Sequence, residues 1–98
     1  MIKHIVMWRL KDGAEKEKNA QAIKRELEAL RGRIDGLLHL EVGLNFESSD
    51  AASDVVLVSE FASREDLENY QNHPLHVAAG ANYVRPSVCE RRVVDYEI

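Results

Sequence analysis

The segment Asp54–Phe61 constrains the fold more than any other stretch of this 98-residue chain. Val55, Leu57, Ser59 and Phe61 alternate with Val56, Val58 and Glu60, the period-two pattern of a β-strand. Both sets are largely apolar, so this strand needs cover on both faces of its sheet. Helices of the same chain can cover one face. Both helical stretches are needed there, and the other face has no candidate inside the chain. A second subunit is the natural cover, which predicts a homodimer through the open sheet face.

Three further strands share the alternation. In Ile2–Lys11, the residues Ile2, His4, Val6, Trp8 and Leu10 lie on one face and Lys3, Ile5, Met7 and Arg9 on the other. Leu37–Phe46 puts Leu38, Leu40, Val42, Leu44 and Phe46 opposite His39, Glu41, Gly43 and Asn45. Val88–Ile98 is the last strand, with Val88, Glu90, Arg92, Val94 and Tyr96 opposite Cys89, Arg91, Val93 and Asp95. Between the first two strands, Ala20, Ile23, Leu27, Leu30 and Ile34 recur at helical spacing. Asp12 is the expected cap with Glu15 returning the bond, Lys24 and Glu28 pair on the outer face, and Gly32 is the left-handed terminator. Ser63 and Asp66 form a second capping box, and that helix runs to about Tyr70. Pro74 starts another helix to about Val84. The order β-α-β-β-α-β, with the second helix broken at Pro74, predicts a ferredoxin-like α+β fold. It is a four-stranded antiparallel sheet with helices on one face, in one domain over residues 1–98.

Composition narrows the partners. Thirteen Lys and Arg against seventeen Asp and Glu give a net charge of −4, and the basic residues are scattered, so no nucleic-acid partner is expected. Arg91-Arg92 straddle the two faces of their strand. The chain shows no signal-like segment and no long apolar run, so the expectation is a cytoplasmic protein with no membrane association. The single Cys89 cannot form an internal disulfide and lacks an activating neighbour, so it is a small packing residue.

The chemistry gathers in Tyr70–His76, where a phenol and two imidazoles lie within seven residues of a proline. Pro74 pushes His73 out of the α region. His76 falls in the first turn of the new helix, where the dipole disfavours an added proton and keeps the imidazole neutral, the form that acts as a base. A reversal between the two helices brings the Tyr70 phenol and His76 into hydrogen-bond reach. His4 lies on the apolar face beside Val6 and Trp8. His73 and His76 are three apart, but Pro74 bends the chain between them and no carboxylate or cysteine completes a set, so no metal site and no cofactor are expected.

Several pieces now coincide. They are Lys3-His4, Glu41-Val42-Gly43 with Asn45, Phe61 through Leu67, Tyr70 followed by His73-Pro74-Leu75-His76, and Val93-Val94-Asp95-Tyr96. Over essentially its whole length the chain resembles the stress-responsive α/β-barrel (Dabb) domain family. The resemblance implies a dimer in which two sheets face each other and close a barrel, in accord with the uncovered Ile5, Met7, Val56 and Val58. It extends to the plant olivetolic acid cyclase, a cofactor-free enzyme of intramolecular aldol chemistry. By motif its catalytic histidine falls on His76, its tyrosine on Tyr70 and a first-strand histidine on His4. A further pocket histidine has no counterpart, since Val55 stands there, which argues against the same substrate. The implied site is an apolar cavity between sheet and helices shaped by Val6, Trp8, Leu27, Val55 and Leu57, with His73 beside it, taking a small apolar or phenolic ligand. Enzyme and non-catalytic binder are both open at this stage, with a cyclase or lyase as the enzyme reading. Fold analogy alone adds a monooxygenase or a haem-binding barrel with His76 on iron.

Overall fold

A computed structural model describes the chain throughout, Met1–Ile98. Four strands, β1 (Ile2–Leu10), β2 (Leu37–Leu44), β3 (Val55–Phe61) and β4 (Val88–Glu97), form one antiparallel sheet in the order β2-β3-β1-β4. Helices α1 (Lys16–Glu28), α2 (Arg64–Asn72) and α3 (Pro74–Ala79) cover one face. The fold is ferredoxin-like, two layers whose thinnest Cα extent is 17 Å. The core lies between sheet and helices. Val6, Trp8, Val55, Leu57, Phe61, Leu40 and Val42 meet Ile23 and Leu27 of α1 and Leu67 and Tyr70 of α2, all buried.

In β4 a register shift opposite Arg9–Leu10 sets Val88 beside Leu10 and against the core, not on the face of Glu90 and Arg92, while the alternation of β1 and β3 holds as written in the sequence. Their register sets Ile5 opposite Val58 and Met7 opposite Val56, while Val94 and Tyr96 of β4 stand opposite Ile5 and Lys3. No element of the chain covers this face. Met7, Val94 and Tyr96 are 41%, 58% and 42% exposed.

β2 departs from its expected pattern. A bulge between Leu37 and His39 shifts the register, so Leu37 packs on the core while Leu38 turns outward. The strand ends at Leu44, and Phe46 is wholly exposed rather than facing the core. β2 is an edge strand, and α1 with the turn that follows it closes its free edge. Arg31 Nε donates to Leu40 O at 2.7 Å, Lys24 Nζ to Val42 O at 2.6 Å, and Val42 N to Glu28 Oε2 at 3.3 Å. Lys24 and Glu28 do pair, at 3.0 Å, but against this edge and not on the outer face. Covering an unpaired edge is a standard defence against intermolecular strand pairing.

The helix ends also differ in detail. α1 starts after Glu15 with no side-chain cap; Asp12 lies three residues before that cap position, too early to serve it, and pairs with Lys16 at 3.4 Å. Gly32 takes the expected left-handed conformation, φ +73°. Ser63 Oγ accepts from Asp66 N at 3.1 Å, as a cap should. His73 is extended (φ −66°, ψ 136°), as a residue before proline must be. The α-helix from Pro74 stops at Ala79 and not near Val84. Gly80–Val84 widen into a π-helical turn and Arg85–Ser87 tighten into a 3₁₀ turn. A π turn swells a helix by one residue and is common beside functional cavities.

Candidate functional site

His4, from the helix-facing side of β1, is 2% exposed. Its register partner in β4 is Asp95, and His4 Nδ1 bonds directly to an Asp95 carboxylate oxygen. A carboxylate only accepts, so Nδ1 carries the proton and Nε2 is left free. His76, on the first turn of α3, bonds through Nδ1 to the Gln71 carbonyl at 3.1 Å. A carbonyl also only accepts, so neutral His76 again presents Nε2 as a lone pair. Burial lowers the pKa of His76; the Gln71 carbonyl opposes this, and the neighbouring groups His4, Arg91 and His73 reinforce it. The direction is the one expected from the sequence, but its cause is burial and not the helix dipole.

Tyr70 closes this arrangement from beneath. Its ring lies 4.4 Å from the His76 ring and 6.3 Å from that of His4, and rests on Phe61 at 5.2 Å. The expected phenol–imidazole hydrogen bond is not made. The rings meet at 51°, and the buried Tyr70 hydroxyl has no partner. Burial pushes its pKa well above the ordinary phenol value, so Tyr70 stays protonated.

The two histidines border a cavity of about 460 Å³ between the sheet and the α3 side of the helical layer. Val6, Trp8, Leu27 and Leu57 line it, along with Gly80 and Val84 of the π turn and Arg85 and Arg91 of the segment that follows. A methyl group built on Gly80 would meet nothing within 4 Å, so this glycine opens space rather than permitting close packing. Val55 and His73 stand outside the cavity. Val55 is buried in the core beside β2. His73 joins α2 to α3, its Nδ1 accepting from Leu75 N at 3.1 Å. No group of three or more His, Cys, Asp or Glu side chains is arranged to hold a metal, and no helix is long and apolar enough to cross a membrane.

Sequence patterning alone assigned no role to Asp95, Arg85 or Arg91. Asp95 was accessible by register: in this sheet order β1 pairs with β4, and pairing Ile2 with Glu97 puts His4 opposite Asp95. Arg91 follows from the alternation of β4, since only one of two adjacent arginines can face the helices.

A ferredoxin-like sheet with a histidine-lined cavity under its helices defines a small α+β barrel-type protein. The comparisons narrow this further. The model of the Stress Responsive A/B Barrel Domain family, Dabb, matches residues 2–98, and the chain belongs to that family. It is 36% identical over 97 residues to a stress-response A/B barrel domain-containing protein of Arabidopsis thaliana, covering 98% of this chain and 36% of that protein. The chain thus spans about a third of that relative's length. Among solved structures, a dimeric protein of unknown function and ferredoxin-like fold from Bacteroides fragilis superposes with a TM-score of 0.89 at 36% identity, over 99% of this chain and 95% of that one. The hydroxynitrile lyase of Passiflora edulis superposes with a TM-score of 0.83 at 19% identity, over 99% and 92% of the chains; at that identity the likeness shows the fold alone.

Proposed function

We propose that this protein is a homodimeric barrel whose cavities each bind a small, largely apolar molecule and present it to two imidazoles for proton transfer without a cofactor. The observation that carries this reading is the matched pair of histidines. His4 and His76 border one cavity, and each has Nδ1 held by an acceptor, so that both Nε2 atoms are free for a ligand. His76 is the base. It takes a proton from carbon α to a carbonyl, a step for which a positioned base contributes about 10²–10⁴-fold. His4 enters this step doubly protonated, with Nδ1–H on the Asp95 carboxylate; it gives its Nε2 proton to the developing enolate oxygen and is left neutral, while His76 holds the proton taken from carbon. Tyr70 packs its ring against that of His76 and holds it in place. Val6, Trp8, Leu27 and Leu57 exclude water.

Support for the dimer comes from the uncovered face of Ile5, Met7, Val56, Val58, Val94 and Tyr96, together with the dimeric relative. The accessible surface of the single chain is 6139 Å², whereas a compact monomer of 11.1 kDa has about 5,700 Å².

The test has two stages. A thermal-shift screen of wild type and His76→Ala against phenolic acids, β-keto esters, fatty acids and haem identifies what the cavity accepts. Proton NMR in deuterated water then follows exchange of the acidic α-hydrogens of a bound β-keto ester. The expected result is exchange faster than buffer in wild type and near buffer in His76→Ala. Equal exchange in the two proteins refutes His76 as the base. A stabilising ligand with no exchange above background would make the protein a binder rather than a catalyst.

A further inference from the structure

The cavity rim carries charges that proton transfer does not use. Arg85, in the 3₁₀ turn, and Arg91, in β4 opposite Trp8, both line the cavity. They come from different elements and converge on one space. Arg9, Arg25, Arg31, Arg64 and Arg92 are each paired with a carboxylate; of the three arginines that make no ion pair or side-chain hydrogen bond, Arg33 lies away from the cavity and Arg85 and Arg91 line it. Glu90 also borders the cavity, yet its two oxygens are taken by Arg92 at 2.6 Å and Arg9 at 3.9 Å. In a chain of net charge −4, the one apolar cavity lined by both histidines therefore opens between two unpaired guanidinium groups. Low-dielectric walls strengthen such a local field and draw in the opposite charge. A guanidinium fork matches the two oxygens of a carboxylate, which it binds with parallel N–H donors.

We propose that the cavity takes an organic monocarboxylate, its apolar body against Trp8, Leu27 and Leu57 and its carboxylate at Arg85 and Arg91. This rests on the cavity reading above and adds the ligand's charge and polarity. The size follows from the volume. About 460 Å³ is the liquid volume of roughly 15 waters at about 30 Å³ each, so the ligand has on the order of 15 non-hydrogen atoms. That is an aryl-alkanoic or medium-chain acid.

Trp8 is the chain's single tryptophan and lines this cavity, so its fluorescence reports occupancy directly. Phenylbutyrate and phenylbutyramide differ in charge but hardly in shape, and neither absorbs where tryptophan is excited. Each is titrated into wild type and into an Arg85→Met, Arg91→Met double variant. Both arginines are surface groups whose replacement leaves the core intact, and circular dichroism confirms this. The expected result is that wild type binds the carboxylate at least tenfold more tightly than the amide. The preference narrows as salt is raised, and the double variant binds both within twofold of each other with amide affinity unchanged. Equal affinities in wild type, with Trp8 responding to both, overturn the carboxylate assignment and leave the cavity reading standing. A preference retained in the double variant overturns the role of the two arginines. No Trp8 response to either compound at millimolar concentration overturns the cavity reading and this inference with it.

Discussion

Replacing Tyr70 by Phe should stabilise this protein, against the usual direction for a buried tyrosine. The Tyr70 hydroxyl is fully buried and has no hydrogen-bond partner. Leaving a buried hydroxyl unpaired costs about 1–3 kcal/mol relative to its hydrated state in the unfolded chain. Phenylalanine keeps the ring, and with it the contacts at 5.2 Å to Phe61 and 4.4 Å to His76, while removing the unsatisfied oxygen. The volume lost is that of one oxygen atom, so the cavity term is small. The net expectation is a gain of about 1–2 kcal/mol. For a domain of this size each kcal/mol moves the thermal midpoint by roughly 4–8 °C. Urea unfolding followed by Trp8 fluorescence measures the change, at one fixed protein concentration because dimerisation would contribute to apparent stability. A lower midpoint in Tyr70→Phe would refute the reasoning, since it would mean that the hydroxyl is bonded in solution, to water or to an imidazole. A lower midpoint combined with slower α-hydrogen exchange would return Tyr70 to the role of a hydrogen-bond donor to His76.

Because burial lowers the pKa of His76 relative to its unfolded value near 6.5, the unfolded chain binds the extra proton first. His76 therefore makes stability fall as pH drops from about 6.5 toward the folded value, and His76→Gln should flatten urea midpoints measured from pH 7.5 to 5; an unchanged slope would show that His76 does not titrate differently on folding. Gly36 has φ +86°, and an added Cβ would come within 2.8 Å of Asp66 Cγ, so Gly36→Ala should destabilise by about 1–3 kcal/mol, whereas Gly32→Ala, with the same sign of φ but open space, should cost less in the same urea titration. Val58→Glu puts a charge at the centre of the uncovered sheet face without touching the core, and sedimentation equilibrium should show a folded monomer where wild type is a dimer; a monomeric wild type would instead reject the dimer.

The layered fold was legible because its determinants are local and periodic. Two-residue alternation in β1 and β3 marks which side chains face the helices, and the helical spacing of Ala20, Ile23 and Leu27 marks what meets them. The uncovered face follows from the same pattern, as Ile5, Met7, Val56 and Val58 all fall on the wrong side for the helices. The errors lie where one residue is inserted into a repeat. The bulge at Leu37–Leu38 turns Leu38 outward, whereas Phe46 is exposed only because the strand has already ended at Leu44. The π turn at Gly80–Val84 adds a residue to a helix whose alanines and glycine gave no apolar stripe by which to detect it. Neither insertion has a composition signal, since each is settled by what the neighbouring layer requires.

For the site, sequence distance decided what could be known. Tyr70 and His76 lie on either side of a proline break, which guarantees that they are neighbours but not which of their atoms meet. The reversal through His73 brings ring against ring and sends the His76 Nδ1–H to the Gln71 carbonyl instead of to the phenol. His4 and Asp95 are 91 residues apart, yet antiparallel pairing of the first and last strands fixes them opposite each other once the sheet order is known. Long-range register is thus a better guide to this site than short-range spacing. The rim arginines depend on both kinds of placement: Arg91 is set by β4 and Arg85 by the irregular turns before it, and only when strand and turns are in position does their positive charge face the cavity that the histidines already share.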